Sequence, residues 1–218
     1  NLSKRNVCII GLGALGTVAS QYLVRSGIGE VHLIDPDQIE ESNLHRQINY
    51  TLEDVGDFKT EVSKNKLQKI NEITKIISHQ TSYENYLKEN ANENFDLVFD
   101  CTDNHENKIL SSQLCKKNKI AYVSISINST EGIYFSQDYK KDTTACFACL
   151  FPQTDVNHRC LNSAMIGPVA GFVTSLACTK IIFALANSSN DLKSEINLID
   201  LLTSDINKLQ LADINCPH

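Results

Sequence analysis

Short, continuous apolar runs alternate with longer mixed segments along the first half of the chain. Val7-Cys8-Ile9-Ile10 is followed by a helical pattern to about Arg25, where Gly27 and Gly29 stop it. Val31-His32-Leu33-Ile34-Asp35 reads as a second strand, and a polar loop runs from Pro36 to Asp57. Runs without a polar face are what a parallel strand buried on both sides requires. A helix is predicted over roughly Lys59 to Asn71, with Val62, Leu67 and Ile70 on its apolar side. Ile76-Ile77 and Asp96-Leu97-Val98-Phe99-Asp100 are the third and fourth strands, then a helix from Glu106 to Lys117 and a strand from Ile120 to Val123. This alternation predicts an α/β fold: a Rossmann-like, doubly wound, mostly parallel sheet with right-handed crossovers.

The second half is less regular. Gly132 to Phe135 reads as a strand, followed by a short hairpin-like segment carrying two cysteines and a polar loop near Asp155 to Asn157. Ile196 to Asp200 and Ile206 to Leu211 are two closing strands, predicted antiparallel. The longest apolar stretch, Met165 to Ala186, contains Pro168, Thr174, Ser175, Thr179 and Lys180, so it reads as a buried core helix rather than a membrane span. No internal repeat or low-complexity linker interrupts the pattern. At 218 residues the chain suits one domain, residues 1–218.

The loop Gly11-x-Gly13-Ala14-x-Gly16 sits between the first strand and the first helix, the context in which a helix N-terminus binds phosphate. Asp35 follows Gly11 by 24 residues, at the end of the next strand, where a carboxylate can accept hydrogen bonds from ribose hydroxyls. These two features point to an adenine nucleotide but do not separate ATP from NAD. No Lys-Ser or Lys-Thr follows the last glycine, so the loop is not of the Walker kind.

Further polar residues distinguish the two. Asp35-Pro36-Asp37, Ser42-Asn43-Leu44-His45-Arg46-Gln47 and Val55-Gly56-Asp57-Phe58-Lys59 lie downstream, and Cys101-Thr102-Asp103-Asn104 closes the fourth strand. Hydride transfer has no need of an arginine, a lysine and an acid clustered by the phosphates. Nucleotidyl transfer needs cations where negative charge builds on the phosphate oxygens. Asp103, at a strand's carboxyl end, is the candidate Mg²⁺ carboxylate. Taken singly, Arg46 and Lys59 would be surface charges and Asp103-Asn104 a helix cap; their joint order favours the chemistry.

Charge and cysteine usage narrow the picture. A net charge of −6 without a basic block argues against general nucleic-acid binding. The chain opens Asn1-Leu2-Ser3-Lys4-Arg5 without a secretory leader, and the absence of Met suggests a trimmed N-terminus. Of eight cysteines, Cys8, Cys101, Cys115 and Cys178 fall inside apolar patterns, where a reduced thiol acts as a small hydrophobe. A cytoplasmic location is expected. Cys146-x-x-Cys149 has the spacing of half a tetrahedral zinc site. Cys160 lies beside His158 and Arg159, which would favour its thiolate, so a covalent role stands beside a plain loop cysteine.

In combination these motifs resemble the ThiF/MoeB/HesA family, relatives of the ubiquitin-activating enzymes, from about Arg5 to Cys216. The resemblance implies an adenylyltransferase that uses Mg-ATP to activate the C-terminal Gly-Gly carboxylate of a small ubiquitin-like sulfur carrier, in thiamin or molybdopterin biosynthesis. Asp35 would hold the ribose, Asn43, Arg46 and Lys59 the phosphates, and Asp103 the Mg²⁺, with Asp37, Ser42, Gln47 and Asn104 contributing to the same site. The catalytic set is then Arg46, Lys59, Asp103 and Cys160. The resemblance also implies that Cys216, with Cys146 and Cys149, holds Zn²⁺; His218, solvent or a residue beyond the chain is left open as the fourth ligand. It further implies a homodimer, since family members donate an N-terminal arginine across the subunit interface. That residue should lie upstream of the glycine loop, where only ten residues stand here. Rival readings are an adenylating enzyme acting on tRNA or a peptide, an NAD-dependent oxidoreductase, and a non-catalytic scaffold for a ubiquitin-like partner.

Overall fold

The computed structural model describes residues 1–90, 95–141, 145–152, 165–187, 192–211 and 216. The chain runs β1 (Asn6–Ile10), α1 (Gly16–Arg25), β2 (Glu30–Ile34), α2 (Lys59–Gln68), β3 (Lys75–His79), α3 (Tyr83–Glu89), β4 (Leu97–Asp100) and α4 (His105–Lys117). It continues through β5 (Ala121–Asn128), β6 (Glu131–Asp138), α5 (Phe147–Leu150), α6 (Gly167–Ala186), β7 (Glu195–Asp200) and β8 (Asp205–Gln210). Among the described residues all these strands form one sheet in the order β3-β2-β1-β4-β5-β6-β7-β8. The first five are mutually parallel, and β5 through β8 pair antiparallel.

The apolar runs divide by residue parity between two cores. Val7 and Ile9 of β1 face one side with Leu23 of α1, Leu67 of α2 and Ala177 of α6. Cys8 and Ile10 face the other with Tyr86 of α3, Cys115 of α4 and Phe147 of α5. Burial on both faces is why the strands carry no polar stripe. α6 has the length and composition of a membrane span, but it lies against β5, β6 and α1 with Val173, Ala177, Cys178 and Ile181 buried. The core-helix reading therefore holds. Cys8, Cys101, Cys115 and Cys178 are buried, as expected from their apolar settings.

Two local expectations need correction. The sequence pattern names no element between β3 and β4, and α3 stands there. Ser82 caps it, its side chain accepting from the Asn85 amide at 3.3 Å, and its tyrosines Tyr83 and Tyr86 bury against the sheet. The strongly polar sequence between those tyrosines hid this anchoring. The cysteine segment is not a hairpin either: Cys146 is the N-cap residue of the one-turn helix α5, with Phe147 and Ala148 turned inward. Aromatic burial of Phe147 against Phe135 and Phe151 wins over a two-stranded turn.

Candidate active site

In this strand order the chain leaves β1 toward β2 on one side and comes back on the other to β4, so a crevice opens at the carboxyl ends of these strands. The cleft there has a volume of about 850 Å³. Gly11, Gly13 and Ala14 line it after β1, Asp35 and Asp37 after β2, and Asp103 and Asn104 after β4. The loop between β2 and α2 adds Asn43, Arg46, Gln47 and, at its end, Lys59. One crevice thus gathers nearly all the polar residues singled out from sequence.

Gly11 has φ +82°, and a Cβ there would lie 3.1 Å from the Cys101 carbonyl carbon and the Thr102 nitrogen. Gly16 does not line the cleft. A Cβ on it would overlap the Gly11 carbonyl oxygen at 1.8 Å, so its work is to let α1 start close against the loop. Ser42 also stands outside the lining: its hydroxyl donates to Glu40 Oε2 at 3.0 Å and accepts from Asn43 Nδ2 at 3.2 Å.

Asp35 is buried, and each of its carboxylate oxygens accepts one backbone N–H: Oδ2 from Leu12 at 2.6 Å and Oδ1 from Asp37 at 2.8 Å. Burial pushes its carboxyl above the usual carboxylate range, against the opposing pull of Lys59 and these two amides. A carboxylate offers about four lone-pair sites, so acceptor capacity remains on the cleft side. Lys59, at the first turn of α2, is buried and donates to Asp37 Oδ2 at 2.8 Å. Arg46 Nη1 donates to the Ser42 carbonyl at 3.1 Å. Gln47 is buried beside Gly13, and its Oε1 has no hydrogen-bond partner among the described residues. A buried acceptor without a partner at the wall of a polar cleft is suited to a ligand donor.

The two residues after β4 divide their roles. Asn104 caps α4, accepting from the Asn107 amide at 3.1 Å, whereas the exposed Asp103 carries no side-chain hydrogen bond among the described residues. An uncommitted carboxylate facing a polar cleft fits a Mg²⁺ ligand. Sequence reasoning missed further lining from Thr81 and Tyr83 at α3, from Asn107 and Ser111 of α4, and from Met165. Only α4's helical repeat, which carries Asn107 and Ser111 to the face below Asn104, could have suggested part of this.

On the face shared with α4, the sulfur atoms of Cys146, Cys149 and Cys216 lie within 4.8 Å of one another. Cys146 and Cys149 are 3.7 Å apart, and Cys149 and Cys216 are 3.3 Å apart. Tetrahedral zinc with Zn–S bonds of about 2.3 Å needs sulfurs about 3.8 Å apart, so the three thiols fit that metal. Cys160, its neighbours His158 and Arg159, and His218 lie outside the described residues.

Fold and cleft together define a Rossmann-like protein whose strand-end crevice carries a glycine loop, cations and an exposed acid. The ThiF family profile matches residues 1–218, and the chain belongs to that family. It is 28% identical over 226 residues to the sulfur carrier protein adenylyltransferase of Thermus thermophilus, covering 99% of this chain and 82% of that protein. It is 30% identical over 215 residues to the adenylyltransferase and sulfurtransferase MOCS3 of Aedes aegypti, covering 96% of this chain and 48% of the relative. The crystal structure of E. coli MccB with ATP superposes with a TM-score of 0.83 at 26% identity, covering 98% of this chain and 66% of that one. The chain thus spans about half the length of the MOCS3 relative. Both relatives are named adenylyltransferases, an enzyme class this chain shares, and the similar MccB structure was solved with ATP.

Proposed function

We propose that this protein, as one adenylation domain over residues 1–218, uses Mg-ATP to adenylate the C-terminal glycine carboxylate of a small ubiquitin-like sulfur carrier. The observation that carries the reading is the convergence in one cleft of the glycine loop, buried Asp35, the cations Arg46 and Lys59, and uncommitted Asp103. The name of the Thermus relative, a sulfur carrier protein adenylyltransferase, supports the carrier as substrate.

In this mechanism the loop Gly11 to Ala14 and the start of α1 take the triphosphate. Asp35 accepts the ribose hydroxyls with its remaining lone pairs. Asn43, Arg46, Gln47 and Lys59 approach the phosphates, Lys59 exchanging Asp37 for a phosphate oxygen. The carrier's carboxylate oxygen attacks the α-phosphorus, the bond to pyrophosphate breaks, and an acyl-adenylate forms. The cations stabilise the charge that develops as this bond breaks. Asp103 would hold Mg²⁺, which when bound supplies further positive charge against the phosphates. Cys146, Cys149 and Cys216 would hold a structural Zn²⁺, fastening α5 to the end of the chain. Cys160 would serve covalent sulfur transfer after adenylation.

The protein acts as a homodimer in the cytoplasm in this reading, in thiamin or molybdopterin biosynthesis. The outward Phe172 and Phe183 give α6 an apolar outer side in keeping with a subunit contact. A second reading, adenylation of a short peptide, draws on the crystal structure of MccB with AMPCPP and MccA, 25% identical. The deciding experiment is ATP–pyrophosphate exchange with a Gly-Gly-ending carrier encoded beside this protein, set against a short peptide. Exchange only with the peptide favours the second reading, and tight NAD binding without ATP binding in calorimetry overturns both.

A further inference from the structure

α4 buries a lysine at its second turn. Lys108 is 3% exposed, and its ammonium donates to Ser124 Oγ at 3.1 Å and to the Ile125 carbonyl at 3.0 Å. Its remaining reach goes to Asp100, at 3.4 Å to Oδ1 and 3.5 Å to the backbone carbonyl. Asp100 is fully buried at the end of β4. A buried ion pair is costly unless every group is hydrogen-bonded, so one that persists calls for a reason beyond filling space. Here the bonds are complete. Asp100 Oδ2 accepts from Tyr122 Oη at 2.9 Å, and Oδ1 accepts both the amide of Thr102 at 2.9 Å and its hydroxyl at 2.6 Å.

Those last two bonds give the pair its direction. Thr102 is clamped by backbone and side chain together, and the next residue is Asp103, which has no side-chain hydrogen bond of its own among the described residues. On the far side of Asp103, Asn104 is fixed as the α4 cap. The backbone of Cys101 and Thr102 is also the surface on which Gly11 rests, with 3.1 Å left for a Cβ. A single buried network therefore sets both the floor beneath the glycine loop and the place of the free carboxylate.

We infer that Lys108, with Asp100, is a positioning residue that holds Asp103 in place through Thr102. The assignment rests on the adenylation reading, in which Asp103 takes Mg²⁺. Lys108 touches no substrate; it orients the turn that does. Outer partners that orient a metal ligand typically change metal affinity by about 10–100-fold when removed.

The test measures ATP affinity by calorimetry across a Mg²⁺ titration, on the full chain, with melting temperature followed in parallel. Lys108→Met and Thr102→Val should raise the half-saturating Mg²⁺ by about 10–100-fold and weaken metal-free ATP binding much less. Lys108→Arg, which keeps a cation at the same place, should recover most of the loss. If Lys108→Met fails to fold, Thr102→Val decides, since it leaves the ion pair intact and removes one bond to the turn. Variants that lower the melting temperature but keep the wild-type Mg²⁺ requirement, or that weaken metal-free binding equally, overturn the assignment. Failure of the functional reading would show separately, as wild-type ATP binding indifferent to Mg²⁺ and to Asp103→Ala, and the assignment would fall with it.

Discussion

The Lys59 ammonium lies 2.8 Å from the carboxylate of Asp37, the lysine side chain buried and the aspartate largely exposed. The cation is thus anchored by its stem at the wall of the cleft while its partner is held loosely at the rim. An incoming phosphate need displace only the exposed carboxylate, and it brings its own negative charge to the same ammonium.

Lys59→Met should therefore lower ATP–pyrophosphate exchange by about 10²-fold, the usual scale for one preorganised electrostatic contact. Asp37→Asn should have a much smaller effect, because it removes a competitor for Lys59 rather than a phosphate ligand. Steady-state exchange rates for the two variants check the order. Equal losses would mean that the pair acts as a unit.

Adenylation and sulfur transfer should separate by residue. Asp103→Ala should abolish exchange, a loss of at least ~10²–10³-fold. Cys160→Ala should leave exchange nearly intact and remove only a disulfide- or thioester-linked adduct with the carrier, detected by mass spectrometry without reductant. Loss of exchange in Cys160→Ala with retention in Asp103→Ala would reverse the assignment of roles.

The three clustered thiols should carry one zinc per chain by elemental analysis. Chelation, or Cys146→Ser, should lower the melting temperature by about 10 °C, the effect expected when a tightly bound ligand is lost from a domain of this size. A metal-free protein with an unchanged melting curve would remove the site.

Glu195 supplies a pH dependence away from the cleft. It is buried, which by itself raises its pKa, but the Lys180 and Lys208 ammoniums outweigh that and hold the carboxyl below the usual range. A carboxyl with a depressed folded-state pKa contributes stability above its unfolded pKa of about 4.3 and loses it as pH falls through the folded value. Glu195→Gln should cost about 1–3 kcal/mol at neutral pH, less where the lysines rehydrate. The gap to wild type should close below about pH 4. Urea denaturation at a series of pH values measures it, and a gap independent of pH would assign the loss to packing.

The amino-acid sequence by itself determined the parallel half of the fold and most of the cleft. A strand buried on both faces must be apolar throughout, so β1, β2 and β4 announced themselves, and the residues just after a strand in such a sheet face the crevice. That is why Gly11, Asp35 and Asp103 were legible: their place follows from position along the chain alone. Tertiary structure decided whatever depends on contacts between distant segments. α3 exists because Tyr83 and Tyr86 bury against strands far away in sequence, overriding a polar local pattern. Gly16 turned out to be a packing glycine because its constraint is the carbonyl of Gly11 folded back against it. Nothing in the sequence pattern sets Lys108 apart from the other lysines of α4. Only the packing of α4 across the end of β4 and the middle of β5 sets it against Asp100, Ser124 and Ile125, where burial turns an ordinary charge into one that must be paired.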